Sequence, residues 1–133
     1  MSPIVNLPVD IEEAYKLIKP SFSSCGVYIF PREYEDFLQD ADQSPTYEAA
    51  KKMLAYSELV VWTLAVNKAF GQTEFEQSDK VYVVNPDHGQ YAYDIKIFMD
   101  CFYFQELVFC SEEAVCYSIA KQGELYETFF GIK

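Results

Sequence analysis

Tyr91-Ala92-Tyr93-Asp94-Ile95-Lys96-Ile97-Phe98-Met99 is the stretch that decides the fold class. Apolar side chains at 91, 93, 95, 97 and 99 alternate with Ala92, Asp94, Lys96 and Phe98. That is the two-residue period of a strand with one face turned inward. Just before it, Asn85-Pro86-Asp87-His88-Gly89 has the composition of a turn, and Val81 to Val84 reads as a short partner strand. Further on, Phe102 to Cys110 supplies apolar strand material, and Val115, Tyr117 and Ile119 alternate again. Lys121-Gln122-Gly123 reads as a turn and Leu125 to Phe130 as a last strand. The expectation for this half is an antiparallel sheet of three to four or more strands.

Towards the N-terminus the period changes. Asp10-Ile11-Glu12-Glu13 fits a capping box, with Asp10 as the N-cap. Ile11, Ala14, Tyr15 and Ile18 follow as a helical stripe, which Pro20 is expected to stop. Val27-Tyr28-Ile29-Phe30 reads as a short strand or extended entry, and Pro31 suits the first turn of a helix through Tyr34, Phe37 and Leu38. Ser44-Pro45 starts another helix. Ala50, Met53, Leu54, Val61, Leu64 and Ala65 keep helical spacing to about residue 69, where Gly71 supplies a C-terminal stop. Leu59-Val60-Val61-Trp62-Thr63 also has high strand propensity. An alternative therefore ends the helix near Ser57 and opens a strand at Leu59. Helices first and strands later predict an α+β fold, N-terminal helices packed on a C-terminal antiparallel sheet, in a single domain over residues 1–133.

The chain carries 21 acidic against 10 basic residues, for a formal net charge of −11, and includes 11 Tyr, 11 Phe and 1 Trp. The aromatic rings supply ample material for one core. The negative field repels nucleic acid and anionic lipid, and it attracts basic proteins. Met1-Ser2-Pro3-Ile4-Val5-Asn6-Leu7-Pro8 lacks the basic region of a secretory signal, and no apolar run is long enough to span a bilayer. A cytoplasmic location, no membrane partner and a monomer are the corresponding expectations.

Reactive chemistry finds little purchase. Cys25, Cys101, Cys110 and Cys116 form no Cys-x-x-Cys pair, which points to reduced thiols in apolar surroundings. The single imidazole, His88, sits in the turn between Asp87 and Gly89, where a polar side chain needs no catalytic purpose. No nucleophile-elbow, zinc-protease, phosphate-loop or calcium-loop pattern is present. The expectation is a non-enzyme with no cofactor and no metal.

Clustered carboxylates are the polar feature with most content. Glu33, Glu35, Asp36, Asp40, Asp42 and Glu48 fall within sixteen residues that hold no Lys or Arg, and Glu74, Glu76 and Asp79 form a second group. On a helix through 31–38 and onward, Glu33, Asp36 and Asp40 share one face. Repulsion on such a face costs only a few tenths of a kcal/mol per pair, so a solvated helix tolerates it without a purpose. The functional reading is a surface that captures a positively charged protein, with Tyr34, Tyr47 and Phe75 as aromatic anchors. Partner-binding candidates are thus Glu33, Tyr34, Asp36, Asp40, Asp42, Tyr47, Glu74, Phe75, Glu76 and Asp79.

Small size, acidity and aromatic richness resemble the bacterial immunity proteins of contact-dependent and related polymorphic toxin systems. Two segments are also similar to the SUKH superfamily of immunity and regulatory domains. Phe30-Pro31-Arg32-Glu33-Tyr34-Glu35-Asp36-Phe37-Leu38 is like that family's Pro-x-x-Tyr-x-x-Phe-Leu helix start. Leu107-Val108-Phe109 and Val115-Cys116-Tyr117-Ser118-Ile119 are like its paired late strands. Asp40-Ala41-Asp42 stands where that family has Asn-Gly-Gly. The resemblance implies an inhibitor that binds a cognate toxin domain, often a basic nuclease, and blocks its active site or substrate path. A chaperone or adaptor for a secreted effector is the alternative function.

Overall fold

The computed structural model describes residues 3–22, 45–87, 90–101 and 105–131, without the side chains of 19–22, 45–50, 87 and 90. Within them the order is helix α1 (Ile11–Phe22), helix α2 (Pro45–Ala69), strands β1 (Lys80–Asp87) and β2 (Gln90–Ile97), two short 3-10 turns, helix α3 (Glu112–Lys121) and helix α4 (Gly123–Phe130). The class is α+β, with helices on both sides of one hairpin in the sequence.

Asp10 caps α1 as its sequence predicts: its Oδ1 accepts the Glu13 N–H at 2.8 Å, and its carbonyl accepts the Ala14 N–H. Ala14 and Ile18 are buried against α2. Pro20 does not end the helix, contrary to expectation; α1 runs two residues further. Proline removes one helical donor, aimed at the carbonyl four residues back. Next to that gap the Lys68 ammonium donates to the Leu17 carbonyl at 2.9 Å, which ties the last turns of α1 to α2.

Residues 59–63 are helical, so the strand alternative fails. Leu59, Val61, Trp62, Thr63, Ala65, Val66, Asn67 and Ala69 are all buried. A helix apolar on nearly every side belongs at the centre of a domain. Burial of β-branched residues there outweighs their small helix penalty of about half a kcal/mol each. Gly71 closes α2 as expected. It adopts a left-handed φ of 85°, its N–H reaches the Lys68 carbonyl, and the Gln72 N–H reaches that of Asn67. Those two bonds form a Schellman motif. Ile4 packs over it, and its N–H donates to the Ala69 carbonyl.

β1 and β2 pair antiparallel from Lys80↔Ile97 to Asp87↔Gln90. The expected turn at 85–89 is therefore shorter, because Asn85, Pro86 and Asp87 belong to β1; His88 and Gly89 lie outside the described residues. Proline is tolerated because of strand parity. Tyr82 exchanges both backbone bonds with Phe109, so even-numbered groups of β1 point away from β2. Pro86 has the same parity, and its missing N–H costs the hairpin nothing. One face of the hairpin, with Tyr82, Val84 and Tyr93, packs on the cluster around Trp62, Phe109 and Val115. The other buries Val81 against Cys101 and Val108, flanked by Phe75, Val83 and Phe98.

The expected sheet of three to four strands is corrected. Among the described residues there are two strands, joined by the isolated bridge at Phe109; residues 105–107 form a 3-10 turn. Val115–Ile119 and Leu125–Phe130 are helical. Ser111 supplies the reason for α3: its Oγ accepts the Ala114 N–H, and Glu112 and Glu113 occupy the electropositive first turn. Ala114, Val115 and Ser118 then meet the core at helical spacing. In α4, Leu125, Tyr126, Phe129 and Phe130 fall on one helical face and pack around Leu59 and Leu107. Gly131, with φ 74°, ends it.

Candidate functional site

Of the residues expected to bind a partner, Glu33, Tyr34, Asp36, Asp40 and Asp42 lie outside the described residues. Tyr47 is in the first turn of α2, without a described side chain. Glu74, Phe75, Glu76 and Asp79 come together in the connection from α2 to β1. Glu74 and Glu76 are exposed. Asp79 is half-buried, and its Oδ2 accepts the Glu76 N–H at 2.8 Å while its own N–H donates to the Glu76 carbonyl. One of its carboxylate oxygens thus holds the turn. The Phe75 ring is partly buried and stacks on Phe98 at 5.5 Å between centroids, so most of its contact is inward.

A second carboxylate-bearing face, not singled out in the sequence, forms around α3, where the Glu13 charge reaches Tyr117 and Glu112 meets Tyr93. Glu13 and Glu112 are both exposed. Tyr117 of α3 donates from its hydroxyl to the Pro8 carbonyl at 2.6 Å, and its ring stacks on Trp62. Burial raises the Tyr117 pKa, and the nearby Glu13 charge adds to the rise. Glu112 accepts a hydrogen bond from the Tyr93 hydroxyl. That bond, then burial and the Glu112 charge, push the phenol up to about 12. The signal available in sequence was the acidic first turn of each helix, Glu12-Glu13 and Glu112-Glu113. Lys121, 5.9 Å from the Tyr117 ring, makes this face mixed in charge.

The described thiols are not poised for attack. Cys101 is buried and Cys110 half-buried. Cys116 is exposed, beside Glu112. Desolvation is the main cause of a raised pKa at all three, and carboxylates at Asp100 and Glu112 add to it for Cys101 and Cys116. A nucleophilic cysteine needs the opposite shift. Among the described residues no group of three or more His, Cys, Asp or Glu is placed to hold a metal ion. An open crevice lined by Asn6, Pro8, Glu13, Lys16 and Leu17 contributes one carboxylate and one ammonium. No described helix is long and apolar enough to cross a membrane.

Of the two segments behind the SUKH resemblance, the first lies outside the described residues. The second pairs only through Phe109, and residues 115–119 belong to α3. Comparison with known proteins gave no match to a family model, a curated protein or a solved structure.

Proposed function

We propose that this chain is an acidic protein-binding inhibitor, an immunity protein that neutralises a cognate bacterial toxin domain with a basic surface. It acts by covering the toxin's active site or its substrate path, and a nuclease is the toxin class that best fits the charge. The observation that carries this reading is the excess of carboxylates, −11 overall, borne at solvent-facing positions: Glu12 and Glu13 of α1, Glu74 and Glu76, Glu112 and Glu113 of α3. Such a field accelerates encounter with a cationic protein and rejects nucleic acid.

Affinity capture followed by mass spectrometry identifies the partner, and stopped-flow association then tests the mechanism. The expected partner is a basic toxin domain that associates faster at low salt. Charge reversal at Glu33, Asp36 and Asp40 slows association, as does reversal at Glu74 and Glu76. An acidic partner, or association indifferent to salt, refutes the reading. Wild-type rates for one reversed group remove that group from the binding face.

The alternative reading, a chaperone or adaptor for a secreted effector, draws support from a separate observation. Ile95 and Ile97 near the end of β2 are 56% and 38% exposed, and Met99 in the 3-10 turn that follows is 52% exposed. An effector captured in place of a toxin would select it.

A further inference from the structure

We propose that β2 is a homodimer interface, in which two copies pair antiparallel about a two-fold axis at Ile95. Three observations converge on it.

The first is an edge that the described residues leave open. The Phe98 N–H donates to the Asp79 carbonyl, and Lys80 lies opposite Ile97. Hydrogen-bonded and non-hydrogen-bonded pairs alternate along an antiparallel ladder. Asp94 and Lys96 therefore turn their backbone groups towards β1, whereas Tyr93, Ile95 and Ile97 turn theirs outward. Among the described residues no strand lies along that edge. The Ile97 carbonyl is approached by the Cys101 thiol at 3.8 Å, a weak donor at long range. Unpaired edges of this kind are templates for another strand.

The second is apolar side chains on the face that such pairing would extend. Ile95 is 56% exposed and Ile97 38%. In sequence they continue the stripe of Tyr91 and Tyr93, which packs on the core. The pattern predicts burial at all of these positions, and the chain's own described residues leave the last two open.

Charge is the third observation, and it selects both the occupant and the register. Backbone parity permits axes only on a residue, odd or even. An axis at 94 sets Asp94 against Asp94, and one at 96 sets Lys96 against Lys96. With the axis at 97, Asp94 meets Asp100. With the axis at 93, Asp94 faces Ala92. Only the axis at Ile95 sets Asp94 opposite Lys96 twice, in the non-hydrogen-bonded positions where side chains lie closest. Lys96 is exposed. The Asp94 Oδ2 accepts from the Asn85 amide at 2.8 Å, which leaves the other carboxylate oxygen for the incoming ammonium. On the opposite face the same register brings Ile95 onto Ile95 and Ile97 onto Tyr93. A strand whose opposite charges flank an apolar centre at i−1 and i+1 is complementary to itself in antiparallel orientation. On this proposal the chain self-associates, where the sequence reading expects a monomer.

Sedimentation velocity on the full chain without any partner, over a wide concentration range, tests the proposal. A reversible dimer is expected. Lys96→Asp creates a carboxylate pair at both positions and raises the dimer dissociation constant by about tenfold or more. The double variant Asp94→Lys with Lys96→Asp restores it to within about threefold of wild type. Ile95→Cys gives a disulfide-linked dimer on mild oxidation above the wild-type background, because directly opposed residues sit at about 5.5 Å between Cα atoms. Ile97→Cys, which faces Tyr93, does not. A monomer at every concentration overturns the interface, whether the edge stays open or a segment such as Val27–Phe30 occupies it. A dimer indifferent to Lys96→Asp, or equal cross-linking at 95 and 97, overturns the register.

Discussion

Asn67 holds the hairpin side of the molecule to its central helix, and Asn67→Ala tests how much depends on that link. The side chain is 2% exposed. Its Nδ2 donates to the Val108 carbonyl at 2.8 Å, and its Oδ1 accepts the Cys110 N–H at 3.0 Å. Between those two groups lies Phe109, whose backbone exchanges both hydrogen bonds with Tyr82 of β1. Truncation strands one buried acceptor and one partly buried donor. Each orphaned group costs about 1–3 kcal/mol, so the loss is about 2–6 kcal/mol, lower if water enters the space. Against a typical domain stability of about 5–15 kcal/mol this is a large fraction. Urea unfolding followed by Trp62 fluorescence measures it, since Trp62 is the sole tryptophan and is fully buried. The midpoint falls with the slope unchanged, and the Tyr82 and Phe109 amides lose hydrogen-exchange protection first. Asn67→Asp separates the two bonds. Its carboxyl keeps the acceptor for Cys110 but faces the Val108 carbonyl, so its folded pKa rises above the unfolded value of about 3.9. That variant is least destabilised below about pH 4, where its protonated oxygen donates as the amide did. It loses stability as pH climbs through the raised value. A loss below about 1 kcal/mol for Asn67→Ala, or no pH dependence for Asn67→Asp beyond that of wild type, refutes the role assigned to the pair of bonds.

Three other outcomes follow from the same geometry. The Tyr91 hydroxyl is buried with no hydrogen-bond partner among the described residues, so Tyr91→Phe stabilises the protein by about 1 kcal/mol in the same urea assay. Tyr93 has its folded pKa raised from 10.0 to about 12. Its contribution is therefore complete below pH 10 and disappears as pH rises from 10 to 12, and Tyr93→Phe flattens that part of the alkaline unfolding curve. Cys116 is exposed, yet burial and Glu112 raise its pKa, so a thiol reagent modifies it more slowly at neutral pH than a free cysteine. Glu112→Gln speeds that reaction, and an unchanged rate would remove the carboxylate as a cause.

The candidate binding groups show where a linear reading stops. Glu74 and Glu76 are exposed, as a charged connection should be. Phe75 between them stacks on Phe98, twenty-three positions along the chain, which no local pattern reveals. Glu112 approaches Tyr93 only because α3 lies against β2, and Glu13 approaches Tyr117 only because the start of α1 is held near α3 through the Tyr117–Pro8 hydrogen bond. The carboxylates expected at 33–42 lie outside the described residues, so their arrangement rests on helical spacing alone.

Local signals fixed the elements whose chemistry is local. Asp10 caps α1, Gly71 ends α2, and the alternation from Tyr91 to Ile97 forms a strand, because each outcome depends on backbone groups a few residues away. Tertiary packing decided the rest. Val115, Tyr117 and Ile119 fit a two-residue period, yet burial of the stripe Ala114, Val115 and Ser118 makes the segment a helix, to which the local cap at Ser111 also contributes. Leu59–Thr63 joins α2, as its helical spacing expects, and burial on nearly every side offsets the competing preference for the extended state. An intrinsic preference is worth tenths of a kcal/mol per residue and a buried side chain is worth about 1.5–3, so contacts between distant segments outrank the local pattern wherever the two disagree.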